Sequence, residues 1–382
     1  MKRKYAWGAS LATVALVLSA CGGSSDSTET AAEETATEEA VVEETEAEET
    51  PAEEAPTEEE AAGGPATIVF ESREADIPVG YDEPQPGELN LAYLNPVGGN
   101  EFLDTLGQSM SVAAEELGGS VTVLDGEGSV DEQVSQLDQL AAQGVDGVFV
   151  FALDPNAMKP ALAKAKEAGI ALISIDENFV DDEIGDYDSQ ILQRRDEAAF
   201  LGANQMASLV PEGASIGTMD FAIAVPSIVF SIEQATKWAT ALGLDVVGNA
   251  SNQTDDIAGG EVAGTELLAN YPDLAGVIAY NDPSAVGASA AARAQAIDGV
   301  VFGGQNGGSD GLEAVRGGRI NYTIQLDAPS IGKFAAWGLY NMAQGNEVPK
   351  TVKAGDPTLV TTENAADATS WADQIAEMAA AG

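Results

Sequence analysis

The residues with chemistry to offer stand where apolar runs end. Gly169-Ile170-Ala171-Leu172-Ile173-Ser174-Ile175 stops on Asp176 and Glu177, Tyr93-Leu94 on Asn95, and Val123-Leu124 on Asp125. Ala279-Tyr280 stops on Asn281 and Asp282, Gly304-Gln305 on Asn306, and Gln325-Leu326 on Asp327. Carboxylates and amides in such places accept or donate hydrogen bonds, and each can bridge two hydroxyls of one ligand. The same residues offer little to covalent or metal chemistry. The chain has no His and one Cys, which removes the usual zinc sets, disulfides and His- or Cys-dependent nucleophiles. Gly213-Ala214-Ser215-Ile216-Gly217 fits G-x-S-x-G, but no His exists to take the Ser proton, so it reads as a strand start. Asp176 and Glu177 make a poor glycosidase pair, since neighbouring strand residues point to opposite faces. Asp181-Asp182-Glu183 with Asp186 and Asp188 lacks the twelve-residue calcium spacing. These residues point to a binding protein and not an enzyme, with no metal and no cofactor.

Strand ends of this kind need a parallel sheet behind them. Leu91–Leu94 and Val121–Leu124 read as strands, and Phe102, Leu106, Met110, Ala113 and Leu117 share one helical face between them. Val134, Leu137, Leu140 and Ala141 mark a second helix, and Val148–Leu153 a third strand. Pro155 opens a helix that ends at Gly169. Asp154 and Asp282, each before a Pro, read as helix N-caps. Strand–helix alternation continues to about Gln325, which argues for doubly wound α/β sheets. The run Gly147–Pro155 is echoed by Gly276–Pro283, and in this register Asp176 corresponds to Asn306. Two like halves with polar strand ends imply a cleft between them. Gly303-Gly304-Gln305-Asn306-Gly307-Gly308 lacks a P-loop Lys and reads as a loop open to close backbone approach. Beyond Pro357, Leu359-Val360 reads as a strand, and 366–380 as a helix with Trp371, Ile375 and Met378 on one face.

The N-terminus reads differently. Lys2-Arg3-Lys4, an apolar run to Leu18 and then Ser19-Ala20-Cys21 form a secretory signal. Leu18-Ser19-Ala20-Cys21 resembles the lipobox of bacterial lipoproteins, which implies cleavage before Cys21 and lipidation of its thiol. From Gly22 to about Ala66 the chain is Glu, Thr, Ala, Ser, Gly and Pro, the composition of a disordered acidic tether. With 63 acidic against 16 basic residues the formal charge is −47, which lacks the basic footprint that nucleic acid needs.

The segment 88–355 resembles the type I periplasmic-type solute-binding proteins, in particular their ribose- and sugar-binding branch. The resemblance rests on Leu91-Ala92-Tyr93 with Asn100-Glu101-Phe102, Gly144 to Val148, Ile170 to Asp176, Tyr280-Asn281-Asp282, Phe302 to Asn306, and Thr323-Ile324 with Ile331-Gly332. It implies two Rossmann-like doubly wound lobes joined by a three-segment hinge, with crossings near 186–190, 325–328 and 352–356. The implied division is a signal over 1–20, a lipidated Cys and linker over 21–66 and a lead-in over 67–87. An N-terminal lobe of 88–188 plus 327–353 then faces a C-terminal lobe and extension of 189–326 plus 354–382. Carried over by position, Asn100 is a hydrogen bonder and Phe102 an aromatic wall, while Asp176, Asn281 and Asn306 meet ligand hydroxyls. Glu101 and Glu177 fall at the same rim, and Gln325 or Asp327 takes the place of a hinge Gln. Two Arg positions of the family fall on Glu177 and near Val229, so the rim gathers Glu101, Asp176, Glu177 and Asp282 without an obvious cation. These acids must face solvent, be protonated, pair with Arg194, Arg195 or Lys237, or meet a positive ligand.

The expected protein is an extracytoplasmic, membrane-anchored, monomeric binding lipoprotein that delivers a sugar or polyol to the permease subunits of an ABC importer. The alternatives are an amine-bearing or other cationic ligand, and a sensory protein feeding a membrane receptor.

Overall fold

A computed structural model of the chain describes residues 68–176 and 185–381. The signal, Cys21, the tether, Glu177 and Asp181-Asp182-Glu183 lie outside the described residues. Among those described, no helix is long and apolar enough to cross a membrane.

The first lobe is built on β1 (Asn90–Asn95), β2 (Ser120–Asp125), β3 (Gly147–Val150), β4 (Ala171–Asp176), β5 (Ser189–Leu192) and β11 (Thr351–Lys353). They form one parallel sheet in the order β11-β5-β4-β3-β1-β2. The second lobe uses β6 (Ser215–Phe221), β7 (Asp245–Asn252), β8 (Gly276–Ala279), β9 (Val301–Asn306), β10 (Tyr322–Gln325) and β12 (Thr358–Thr361). Its order is β12-β10-β9-β8-β6-β7, with only β12 antiparallel. The two sheets therefore share one winding, and in each the strand order reverses beside the first strand of its lobe. Crevices for ligands open at such reversals, beyond the carboxyl ends of the strands.

Alternation along the strands fills both faces of the first sheet. Tyr93, Phe149 and Ile173 point to one side, towards α1 (Glu101–Glu116) and α9 (Ala328–Ala343). Leu94, Val148 and Leu172 point to the other, against α2 (Val130–Gln143) and α3 (Pro155–Glu167). The second sheet is covered by α4 (Arg195–Leu209) and α5 (Pro226–Ala241) on one side. On the other lie α6 (Ile257–Asn270), α7 (Asp282–Ala294) and α8 (Ser309–Arg316). Helix ends follow local chemistry: Asp154 caps α3 by accepting from the Asn156 and Ala157 amides at 2.9 and 3.1 Å, with Pro155 first in the helix. Asp282 differs from the sequence reading. Asn281 is the cap of α7 and Asp282 its first helical residue, because the Asn side chain reaches the Ser284 amide at 3.0 Å. Ser215 opens β6, as a strand start should.

The chain passes between lobes three times. It leaves β5 and enters α4 at Gln193-Arg194, leaves β10 and enters α9 at Leu326-Asp327, and runs from β11 to β12 through 354–357. The first passage lies a few residues beyond 186–190, because Ser189–Leu192 is a strand of the first sheet. Half of that strand is polar (Ser189 and Gln190, both fully buried), so hydrophobic patterning does not mark it. A second shift concerns the C-terminus. Helix α10 (Trp371–Ala381) follows β12 of the second lobe but packs on α1 and α9 of the first.

Candidate functional site

Helix α1 begins directly after the loop that leaves β1. Asn100 caps it, its Oδ1 accepting from the Phe102 and Leu103 amides at 3.1 and 3.3 Å. That use of Oδ1 leaves Nδ2 free to face the other lobe, where it donates to Asp255 Oδ2 at 2.9 Å. Glu101, the next residue, also crosses the cleft. Its carboxylate accepts from the Ser309 amide at 2.8 Å and from Ser309 Oγ at 2.9 Å, so an acid from the first lobe sits on the N-terminus of α8, where negative charge is favoured. Gly308 permits this approach: a Cβ there would lie 2.6 Å from Glu101 Oε2.

Two adjoining cavities lie between the lobes. The outer one, of about 430 Å³, is bounded by Asn100, Glu101, Asp255, Asp256, Asp282 and Asp310, with Phe102 and Trp371 at its wall. The inner one, of about 70 Å³, is bounded by aromatic and aliphatic groups such as Phe102, Phe151, Phe221 and Ile228, together with Arg195 and Tyr280. Asn100, Phe102, Asp255, Asn281 and Asn306 border both. Apolar walls with a few convergent polar groups suit a ligand that is polar at its edge and has C–H faces.

Of the residues expected at the rim, Asn100, Glu101, Phe102, Asn281 and Asn306 come together around these cavities. Asn281 caps α7 and uses its Nδ2 to donate to Asp255 Oδ1 at 2.7 Å. Asn306 ends β9 with φ +96°, a conformation Asn tolerates better than most residues. Asp176 ends β4 opposite Leu192. Two others are engaged elsewhere. Gln325 Nε2 donates to the Gly307 and Thr369 carbonyls at 2.9 and 3.1 Å. Asp327 caps α9 at the second passage, packed so closely that a Cβ on Gly355 would lie 2.0 Å from its Oδ2. Neither Gln325 nor Asp327 borders the two cavities.

Of Arg194, Arg195 and Lys237, the cations weighed as partners of the rim acids, Arg195 lies at the cleft. Arg195, at the start of α4, puts its guanidinium 5.8 Å from the centre of the Phe102 ring. It donates to Gln193 Oε1 at 2.8 Å and borders the inner cavity. Arg194, one residue earlier, turns away to the hinge and pairs with Glu74, Glu197 and Asp356. Lys237 sits 4.2 Å over the Trp238 ring. Val229 is exposed on α5, and its neighbour Ile228 borders the inner cavity. The signal for Arg195 was weak but present: it belongs to an Arg pair directly after a buried strand, in a chain with 16 basic residues.

Asp255, Tyr280 and Trp371 are the other rim residues that patterning did not single out. Burial raises the Asp255 carboxyl above its usual range, against the hydrogen bonds from Tyr280, Asn100 and Asn281 that favour the anion. Burial also pushes Asp282 up to about 7, and its Oδ2 accepts from the Gly307 amide at 2.7 Å. Among the described residues no group of three or more His, Cys, Asp or Glu is arranged to hold a metal ion.

Residues 91–347 match a family model described as a periplasmic binding protein domain. A ribose import binding protein of Bacillus subtilis is 25% identical over 268 residues, which is 70% of this chain and 84% of that protein. A solved ABC-transporter solute-binding protein from Actinobacillus succinogenes, with bound D-allose, superposes with a TM-score of 0.67 at 21% identity, covering 73% of this chain and all 100% of that one. Another from Bacillus halodurans, with bound myo-inositol, gives a TM-score of 0.65 at 22% identity over 75% of this chain and 98% of that one.

Proposed function

Because the chain belongs to the periplasmic binding protein family, whose members bind and hand over solutes and do not transform them, we propose that it is the extracytoplasmic substrate-binding component of an ABC importer for a neutral sugar or polyol. The observation that carries this reading is the joined space of the two cavities, since the inner one alone, at about 70 Å³, is well short of the roughly 300 Å³ of an ordinary ligand pocket. There Phe102, Phe151 and Phe221 offer apolar faces, while Asn100, Arg195, Asn281 and Asn306 offer polar edges. A ring with hydroxyls at its rim and C–H groups on its faces matches that division. The ribose import binding protein and the solute-binding proteins with bound D-allose and myo-inositol support the same class of ligand. Asp176 would accept from the ligand at the carboxyl end of β4. Affinity would come from closure of the lobes, with a micromolar constant corresponding to about −8 kcal/mol net of hinge and ligand ordering. Cys21 would carry the lipid that holds the domain at the membrane, with the acidic tether as spacer.

The test is calorimetric titration of the protein with neutral pentoses, hexoses and polyols, set beside amino sugars and simple amines. Nanomolar to micromolar binding of a neutral compound is expected. A protein that binds only cations would sink the neutral-ligand reading and favour the second one, an amine-bearing ligand. That second reading is favoured by the outer cavity, whose border, among the described residues, contains Glu101, Asp255, Asp256, Asp282 and Asp310 and neither Lys nor Arg. Lipidation is tested separately: the full chain should incorporate labelled palmitate, and Cys21→Ser should abolish the label.

A further inference from the structure

Asp255 is held in the cleft by the turn that leads into α6, although it does not itself cap that helix. The turn between β7 and α6 is built around Asn252, which is fully buried. Asn252 Oδ1 accepts from the Thr254 and Asp255 amides at 3.0 and 3.1 Å, and its Nδ2 donates to the Asp256 carbonyl and to Ser284 Oγ, both at 2.9 Å. Asp256 then caps α6, accepting from the Gly259 amide at 2.7 Å. The cap is thus supplied by the neighbour, and Asp255 is left with φ +57°, which costs about 1 kcal/mol in a residue other than Gly. What the strained backbone achieves is to aim one carboxylate at the boundary between the two cavities.

Three neutral donors meet it there. Tyr280 OH and Asn281 Nδ2 reach Oδ1 at 2.6 and 2.7 Å, and Asn100 Nδ2, from the opposite lobe, reaches Oδ2 at 2.9 Å. An ionised carboxylate has about four acceptor positions. Oδ1 is saturated by its two partners, whereas Oδ2 keeps one position, and Asp255 borders both cavities.

We propose that Asp255 is a specificity-determining residue of the cleft: its Oδ2 accepts a hydrogen bond from a hydroxyl or ammonium of the ligand, and its charge excludes anionic sugars. The proposal rests on the reading of the cleft as the ligand site. It gives the guanidinium of Arg195 a bounded role. Alone, that group would invite uronates and sugar phosphates; a carboxylate fixed in the same cleft opposes them by like charge. It also couples recognition to closure, because the Asn100 bond to Oδ2 exists only when the lobes are together.

The experiment titrates the full chain with D-ribose, D-allose, myo-inositol, glucosamine and glucuronate, and repeats it with Asp255→Asn and Asp255→Gly. Both replacements tolerate a positive φ, so each keeps the turn while removing the charge. Asn321→Ala, which removes the 2.9 Å bond from the Phe302 amide at the amino end of the second sheet, opposite the cleft, controls for a general loss of stability. The wild type should bind at least one neutral or amino compound and reject glucuronate. Both Asp255 variants should weaken the bound compound at least tenfold and narrow its advantage over glucuronate, while Asn321→Ala changes neither. Asp255 variants that bind within twofold of wild type, or a wild type that takes glucuronate as well as neutral sugars, would overturn the proposal. A wild type that binds none of the five would bring down the cleft itself as the ligand site, and that failure is visible before any variant is made.

Discussion

Asn100 and Glu101 each serve their own backbone or the facing lobe with atoms that could also meet a ligand. Asn100 uses its oxygen on α1 and its nitrogen across the cleft. Replacing it with Ala should cost about 1 kcal/mol of stability through the lost cap and lower ligand affinity roughly tenfold through the lost cross-cleft donor. Thermal melts and titration separate the two effects, and an unchanged affinity would show that Asn100 is only a cap. Glu101→Ala should leave stability almost intact, since the residue is exposed, but weaken binding roughly three- to tenfold by unlatching the lobes; small-angle scattering should then report a more open unliganded protein. Single residues also show where sequence reading stops. Asn281 and Asn306 could be placed at the cleft from the sequence because each ends a buried strand on an amide. Gln325 was not legible as a scaffold residue: its fate depends on the Thr369 carbonyl, 44 positions further along. Asp255 was hidden for the converse reason. It follows no apolar run, and only the buried Asn252 turn makes its carboxylate point inward.

At the scale of elements, the lobes themselves were readable, because parallel buried strands and amphipathic helices carry strong periodic signals. The two pieces that fasten the lobes together were not. One is α10, which brings Trp371 to the junction of cleft and hinge. The indole is fully buried, packs 5.7 Å from Phe102, and donates to the Leu326 carbonyl at 2.9 Å. Its helical face was visible in the sequence, but nothing local says that the face belongs to the opposite lobe. Trp371→Ala should destabilise the protein by about 3–5 kcal/mol. Trp371→Phe should recover most of the stability while still losing the bond to Leu326. Melting curves of the two variants, with binding measured on each, check whether the indole supports Phe102: if Trp371→Phe binds like wild type and Trp371→Ala, still folded, does too, the aromatic wall stands without it. The second piece is the lead-in. Phe70 stacks on Phe200 of the second lobe at 4.8 Å, Val79 bridges to Lys353, and Tyr81 bonds Ser189 in the first lobe at 2.8 Å. A Pro-rich stretch looked like a connector because extended chain has no period to detect.

For the molecule as a whole, the hinge side carries a titration of its own. Glu74 of the lead-in is 1% exposed and lies 2.8 Å from Arg194 Nε, while Arg194 also holds Glu197 and Asp356. Burial outweighs the guanidinium and pushes Glu74 up to about 7, and Asp282, buried under the Gly307 loop, likewise sits at about 7. A carboxyl whose folded value lies above its unfolded one binds more protons in the native state across the interval between them. Stability therefore falls as pH rises from roughly 4.5 to 7, is fully lost to this term above about 7, and is restored on acidification. The two groups together should make the protein more stable at pH 5.5 than at pH 8 by on the order of 2–4 kcal/mol, in the same direction as relief of the net charge of −47. Urea unfolding at the two pH values measures the difference. Glu74→Gln is the discriminating variant, because the general charge effect survives it and the Glu74 share does not: a slope reduced by about a third to a half is expected, and a slope equal to wild type would mean that Glu74 stays ionised beside Arg194 throughout. The consequence reaches the cleft, since Arg194 lies in the first passage between lobes and Asp356 in the third. Protonating Glu74 loosens one of three acids that grip that guanidinium, so the equilibrium between open and closed lobes should shift with pH in wild type and less in Glu74→Gln.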